Sequence, residues 1–181
     1  MAGAKNGKSK NHHVLNHYFH TINQMKKTAV FPGSFDPITS GHVDIVKRAL
    51  PLFDKIIIAI GANSQKQSLY SLEKRIDWIK RVFKEEKKIS VEAYEGLTVN
   101  FCNERHADYI VRGIRSASDF DYEKTIAHLN NAMYPNIETI LILARPELSS
   151  VSSTIVREII RGNGKVDKFV PKEIVKELKL S

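Results

Sequence analysis

From Thr28 onward the chain switches repeatedly between two apolar periods, and this switching restricts its architecture more than any other feature. Short runs rich in β-branched residues read as five strands: Thr28 to Phe31, Ile56 to Ile60, Ile89 to Ala93, Tyr109 to Val111 and Thr139 to Leu143. Between them apolar residues recur every three or four positions, which is one face of a helix. Val43, Val46, Leu50 and Phe53 make one such stripe, and Leu72, Ile76, Ile79 and Phe83 a second behind Ser71, a suitable N-cap. Leu97 to Glu104 reads as a short helix. Tyr122, Ile126, Leu129 and Met133 form a third stripe ended by Pro135, and Ser153 to Arg161 a helix closed by Gly162. Pro171 opens a last amphipathic helix through Ile174, Val175 and Leu178. Strands alternating with helices predict an α/β fold: a doubly wound five-stranded parallel sheet with helices on both faces. Such sheets hold ligands beyond the carboxyl ends of the strands, so the loops after Phe31, Ile60, Val111 and Leu143 are the ones to search.

The chain has 181 residues, 42 % of them apolar and 27 % charged, an ordinary globular mix with no internal repeat. One domain is expected over residues 25–181. Residues 1–24 contain three lysines, four of the seven histidines and no acidic residue, and show no hydrophobic period. They are read as a disordered extension, added to the natural chain or preceding a misassigned start, with no part in function. The formal net charge is +8, and outside this extension 25 basic residues face 20 acidic ones. No apolar run reaches membrane-spanning length. A single cysteine, Cys102, excludes an internal disulfide and fits a reducing compartment. Cys102, His106 and His128 have no supporting constellation and are read as structural.

Several common chemistries fail on spacing. Gly162-Asn163-Gly164-Lys165 lacks the upstream glycine of a Walker A loop and continues into Val166. The same stretch has Asp167 where a dinucleotide fingerprint needs its third glycine. Neither a His-Glu-x-x-His zinc pattern nor a Gly-x-Ser-x-Gly elbow occurs. The loop after the first strand, Pro32-Gly33-Ser34-Phe35-Asp36-Pro37-Ile38-Thr39-Ser40-Gly41-His42, carries more information. Its glycines let a ligand approach the backbone, and a helix starting near Gly41 turns free N–H groups toward the space above the sheet. His42 can donate an imidazole N–H to a phosphate there. For a lone histidine beside a capping Ser40, a surface role is the better reading.

The whole string changes that balance. Gly-Ser-Phe-Asp-Pro-x-Thr-x-Gly-His resembles the Thr/His-x-Gly-His signature of the nucleotidyltransferase superfamily, and Val151-Ser152-Ser153-Thr154-Ile155-Val156-Arg157 resembles its Ile-Ser-Ser-Thr-x-x-Arg motif. Within the superfamily the chain resembles the bacterial phosphopantetheine adenylyltransferases from Lys27 to about Leu178. The resemblance implies a Rossmann-like sheet whose order reverses between strands one and four, and transfer of the adenylyl group of ATP to 4′-phosphopantetheine. The products would be dephospho-coenzyme A and pyrophosphate. It also implies a cytoplasmic homohexamer, inhibited by coenzyme A, with Mg²⁺ arriving on ATP.

Each remaining loop has a plain reading beside the implied one. Arg112-Gly113-Ile114-Arg115 follows the fourth strand, where two arginines can hold phosphates or form salt bridges with Asp119, Asp121 or Glu123. By resemblance Arg112 lies on the pantetheine side, while Gly113, Ile114, Arg115 and Glu123 contact ATP. Lys66 alone is a solvated loop charge; by resemblance it reaches the reacting phosphate. The proline often found after it is replaced by Gln67 and Ser68. Thr98 is either a helix-start residue or, by resemblance, a contact of the pantetheine arm. Leu148, Ser149, Ser150, Val151, Ser152, Ser153 and Thr154 read as a capping cluster or, by resemblance, as the nucleotide wall. Leu148 stands where tryptophan is common, and Ser34 replaces a frequent threonine while keeping the hydroxyl.

A phosphate nucleophile is already anionic, so no general base and no covalent intermediate are required. The implied roles are transition-state stabilisation by His42, orientation of the attacking phosphate by Lys66, and positioning by Ser34 and Arg112. Ser34, Phe35 and His42 would also touch ATP. Three rival readings are a superfamily enzyme acting on nicotinate mononucleotide or glycerol phosphate, an RNA-binding module suggested by the basic pI, and a silent scaffold. The chain lacks an aromatic-rich stacking motif, so neither nucleic acid nor a membrane is expected as a partner.

Overall fold

The computed structural model describes residues 26–62 and 68–178. Five strands, β1 (Thr28–Gly33), β2 (Lys55–Gly61), β3 (Ile89–Tyr94), β4 (Tyr109–Ile114) and β5 (Glu138–Leu143), form one parallel sheet in the order β3-β2-β1-β4-β5. The Rossmann-like sheet with its reversal between β1 and β4 is therefore present. Five α-helices accompany it: α1 (Ser40–Ala49), α2 (Leu72–Val82), α3 (Thr98–Glu104), α4 (Ala117–Met133) and α5 (Ser153–Arg161). No helix among the described residues is long and apolar enough to cross a membrane.

The central strands bury both faces, as crossover helices require. Ala29, Phe31, Ile56, Ile58 and Ile60 point into the larger core, with Ile45 and Val46 of α1, Trp78 and Ile79 of α2, and Val156 and Ile160 of α5. Val30, Ile57 and Ala59, the alternate positions, pack on the other side against Val99, Phe101 and Cys102 of α3. Cys102 is fully buried, which pushes its thiol up to about 12, and it behaves as a small apolar residue. His106 and His128 lie exposed, so neither supports the core.

One helix stripe faces outward, and the expected last helix needs correction. The stripe on α4 is helical, but Tyr122, Leu129 and Met133 are 64 %, 56 % and 48 % exposed, while Glu123 and Asn130 are buried. The helix thus turns Glu123 and Asn130 inward beside the half-buried Ile126, and leaves Tyr122, Leu129 and Met133 outward. The last segment forms turns and a single 3₁₀ turn, Val175–Glu177, rather than an α-helix. Its apolar spacing is nevertheless used, because Ile174 and Leu178 are buried in the larger core. Side-chain ties replace helix hydrogen bonds: Trp78 Nε1 donates to Glu177 Oε2 at 2.9 Å, and Arg81 pairs with Glu177 at 2.7 Å. Ile174→Ala is expected to cost about 2–5 kcal/mol, as for a core aliphatic residue. Chemical denaturation checks this, and a loss below about 1 kcal/mol would place the segment outside the core.

Candidate active site

The reversal of strand order opens a cleft above the carboxyl ends of β1 and β4. Its volume is about 210 Å³, and its walls include Gly33, Thr39, Gly41 and His42 on one side and Arg112, Gly113, Arg115, Asp119 and Glu123 on the other. Leu148, Val151, Ser152 and Ser153 close the third side. These come from three of the loops that follow strands.

The cleft floor is set by the start of α1. Thr39, not Ser40, is the N-cap, with extended backbone. Its Oγ1 accepts the His42 N–H at 3.4 Å, and His42 Nδ1 accepts the Thr39 N–H at 3.1 Å. This is a capping box in which a histidine takes the usual place of Glu or Gln. Thr39 Oγ1 also lies 3.0 Å from Nδ1. Because Nδ1 accepts from the backbone, the neutral ring carries its proton on Nε2. Burial among Phe31 and Phe35, whose ring centroids are 6.3 and 5.0 Å away, is the main force lowering the His42 pKa, to about 4. Arg115 and then Arg112 add their positive charge to the same effect. The ring's contribution to stability is complete above its unfolded value of about 6.5 and is lost as pH falls through about 4.

The two signature segments are bolted together beneath this floor. Ser153 Oγ donates to Pro37 O at 2.8 Å, and Arg157 Nη1 donates to Asp36 O at 2.7 Å. The buried Asp36 carboxylate accepts the Leu69 and Tyr70 N–H groups at 2.8 and 2.9 Å, and Arg75 Nη1 donates to Ser34 O at 2.7 Å. These anchors had no sequence signal beyond the presence of Asp36 and Arg157 in the motifs. Arg75, on α2, lies in neither motif.

Arg112, on β4, and Arg115, just after it, both reach the cleft, and both have carboxylate partners. Arg112 forms a two-point contact with Glu123, Nε to Oε2 at 2.8 Å and Nη2 to Oε1, and its Nη1 donates to Pro32 O at 2.8 Å. Arg115 pairs with Asp119 through Nε at 2.9 Å and Nη2 at 3.2 Å. The hydrogen bond from Arg115 holds the Asp119 carboxyl below its usual range. The salt-bridge and phosphate readings of these arginines are thus compatible: each is paired and still lines the cleft.

Other expected site residues sort differently. Thr98 lies in an adjoining cavity of about 170 Å³, with Tyr122, Ile126, Asn130 and Thr139, and that cavity shares Pro32, Arg112 and Glu123 with the first. Phe35 and Ile114 are 1 % and 4 % exposed and absent from the cleft lining; the Phe35 ring packs against His42. Ser34 is exposed outside the cleft lining. Ser149, Ser150 and Thr154 are also absent from the lining; Ser149 Oγ donates to Pro146 O, and Thr154 Oγ1 accepts from Arg157. Ser152 caps α5 by accepting the Ile155 N–H at 3.2 Å. Lys66 lies outside the described residues. Among the described residues no group of three or more His, Cys, Asp or Glu side chains could hold a metal ion.

Residues 30–159 match the family described as cytidylyltransferase-like. The chain is 50 % identical over 148 residues to phosphopantetheine adenylyltransferase of Flavobacterium psychrophilum, covering 82 % of this chain and 97 % of that one. It is 50 % identical over 147 residues to the protein of the same name from Leptospira biflexa, covering 81 % and 92 %. Among solved structures, a bifunctional NMN adenylyltransferase/ADP ribose pyrophosphatase from Francisella tularensis matches 81 % of this chain and 45 % of its own, with TM-score 0.63 at 18 % identity. At that identity the likeness shows a shared fold.

The tightest packing in the floor gives a test. A Cβ on Gly33 would meet the Phe35 ring at 2.9 Å, and that ring supports His42. Gly33→Ala is expected to cost about 1–3 kcal/mol and to lower turnover by displacing both rings. Thermal melts with steady-state rates check this; unchanged values for both would mean the floor yields freely.

Proposed function

The chain belongs to the phosphopantetheine adenylyltransferase family, which makes dephospho-coenzyme A and pyrophosphate from ATP and 4′-phosphopantetheine, and on that footing we propose how its cleft performs the transfer. The acceptor phosphate oxygen attacks the α-phosphorus of ATP in line. One O–P bond forms, the bond to the β-phosphate oxygen breaks, and its electron pair leaves with pyrophosphate. The nucleophile is anionic at neutral pH, so the protein's task is positioning and charge stabilisation.

The observation that carries this reading is the neutral His42 facing two paired arginines across one cleft at the strand reversal. A neutral ring with Nδ1 occupied offers Nε2–H as a fixed donor to charge building on the α-phosphoryl oxygens. It needs no proton transfer, which suits a step without a general base. Arg112, between the two cavities, holds the acceptor phosphate, with Thr98 on the pantetheine side. Ser34 and Lys66 assist in placing that phosphate. Gly113, Arg115, Glu123, Leu148, Val151, Ser152 and Ser153 form the nucleotide wall, with Phe35 and Ile114 behind it and Ser149, Ser150 and Thr154 shaping the turn into α5.

ATP enters with Mg²⁺ held by its own phosphates and by water. The donor set supports this, because both carboxylates of the cleft, Asp119 and Glu123, are taken by arginines. The homohexamer draws support from the outward apolar residues Tyr122, Leu129 and Met133 of α4, which await a covering surface. Coenzyme A, carrying both the pantetheine arm and an adenosine group, fits the two joined cavities as a feedback ligand. A cytoplasmic setting agrees with the single buried thiol of Cys102.

Pyrophosphate release by the full chain, with ATP, Mg²⁺ and a panel of acceptors, tests the reading. Release is expected with 4′-phosphopantetheine and not with nicotinate mononucleotide. His42→Ala is expected to lower turnover about 10²–10³-fold while the ATP Kd moves less than about threefold. Unchanged turnover in that variant would remove His42 from the mechanism.

A further inference from the structure

β3 ends in a tight hook that carries one side chain of the smaller cavity. Tyr94 is the last residue of β3 and Thr98 the first of α3, so three residues reverse the chain. Gly96 makes this possible with a φ of 79°, a left-handed conformation that a side chain disfavours. No side chain caps the start of α3, and the Thr98 hydroxyl turns instead to the Tyr94 phenol, with the two oxygens 2.7 Å apart. Among the described residues Thr98 Oγ1 has no second partner. Thr98 also lines the cavity of about 170 Å³ that it shares with Arg112, Ile126 and Asn130.

Packing fixes the direction of the phenol. The Tyr94 ring stacks on Phe101, with centroids 4.9 Å apart and planes 27° from parallel, and Phe101 is buried. The Arg105 guanidinium lies 4.9 Å from the centre of the Phe101 ring, and Glu92 holds Arg105 at 2.7 Å. The Ala62 N–H donates to Tyr94 O at 2.8 Å, which fixes the backbone at the strand end. A hydroxyl has one proton to donate and two lone pairs to accept with. Of the two groups the phenol is the stronger donor and the alcohol the stronger acceptor. The Tyr94 O–H therefore donates to Thr98 Oγ1, and the proton of Thr98 is left for the cavity. The pantetheine arm contains two amides, whose carbonyl oxygens accept such a proton.

We propose that Tyr94 is a positioning residue for the acceptor substrate: its phenol occupies a lone pair of Thr98 and so presents the Thr98 O–H to an amide carbonyl of the pantetheine arm. This rests on the reading that Thr98 meets that arm. A threonine hydroxyl without the phenol would rotate among its staggered positions and offer the arm a donor only part of the time. Held by Tyr94, it offers a donor in one direction. The arm is then bound at a second point besides its phosphate, which limits the orientations from which the phosphate can attack.

A double-mutant cycle tests this. Tyr94→Phe removes one oxygen and keeps the ring and its stack on Phe101. It is expected to raise KM for 4′-phosphopantetheine about three- to tenfold and to leave KM for ATP within about twofold. In a Thr98→Val background, which lacks the hydroxyl, the same change is expected to add less than about twofold. In a Thr98→Ser background, which restores the hydroxyl, the full effect of Tyr94→Phe is expected to return. Both KM values rising together, or a lower melting temperature with neither KM changed, would make the role of Tyr94 structural and overturn the proposal. A rise on Thr98→Val with none on Tyr94→Phe, or effects that multiply fully in the double variant, would overturn it while leaving Thr98 at the arm. No change in KM for 4′-phosphopantetheine on Thr98→Val alone would overturn both the proposal and the reading beneath it.

Discussion

The reciprocal hydrogen bonds between Thr39 and His42 fix the first turn of α1, and the rest of the site is arranged around that turn. An ordinary capping box uses the acidic or amide side chain at the third helical position only to satisfy the cap. Here the side chain doing the capping is also the one at the cleft floor. The price of this arrangement is a histidine that stays neutral far below its usual range. A charged imidazolium here would meet the like charge of Arg115 and Arg112, which is part of why the ring stays neutral. The backbone thus determines the tautomer and orientation of the ring, and burial, helped by Arg115 and Arg112, keeps it neutral.

Around that turn, the fold supplies rigidity by crossing chain segments over one another. Ser153 and Arg157 of α5 hold the carbonyls of Pro37 and Asp36, and Arg75 of α2 holds that of Ser34. The backbone N–H of Ser40 donates to Phe169 O at 2.9 Å, so the C-terminal segment also bears on the start of α1. Arg157 and Arg75 lie outside the cleft lining, so their part is support alone. They keep a loop with few regular backbone hydrogen bonds in one conformation, and a preorganised loop costs nothing to reorder at the moment of reaction.

Strands and helices were largely legible because burial on both faces of the sheet writes a continuous apolar run, and a covering helix writes a repeat of three and four. The α5 bounds, Ser153 to Arg161, agree fully, since a cap and a closing glycine punctuate them. Periodicity cannot say whether a helix stripe is covered within the chain, and Tyr122, Leu129 and Met133 of the α4 stripe face outward. It also overestimated the order of the segment after Pro171, which is too short to form a helix unaided and is held by side chains. The partners of the arginines were more readable than they first look. Positions 119 and 123 lie one turn apart on one helix face, whereas Asp121 points elsewhere and pairs with Lys124. The first motif located His42, and the loop after the fourth predicted strand located Arg112 and Arg115. They did not show that the side chains of Phe35 and Ile114 are buried away from the cleft, because a side chain's direction depends on packing that no short pattern contains.

The central claim is that the fold presents His42 as a neutral Nε2–H donor. Nitrogen-15 NMR of imidazole-labelled protein, titrated from about pH 8 to about pH 5, reads the protonation of both ring nitrogens directly. The account predicts that His42 keeps a protonated Nε2 and an accepting, unprotonated Nδ1 across that range. A ring that gains its second proton near its ordinary value of about 6.5, or that carries its single proton on Nδ1, would contradict it.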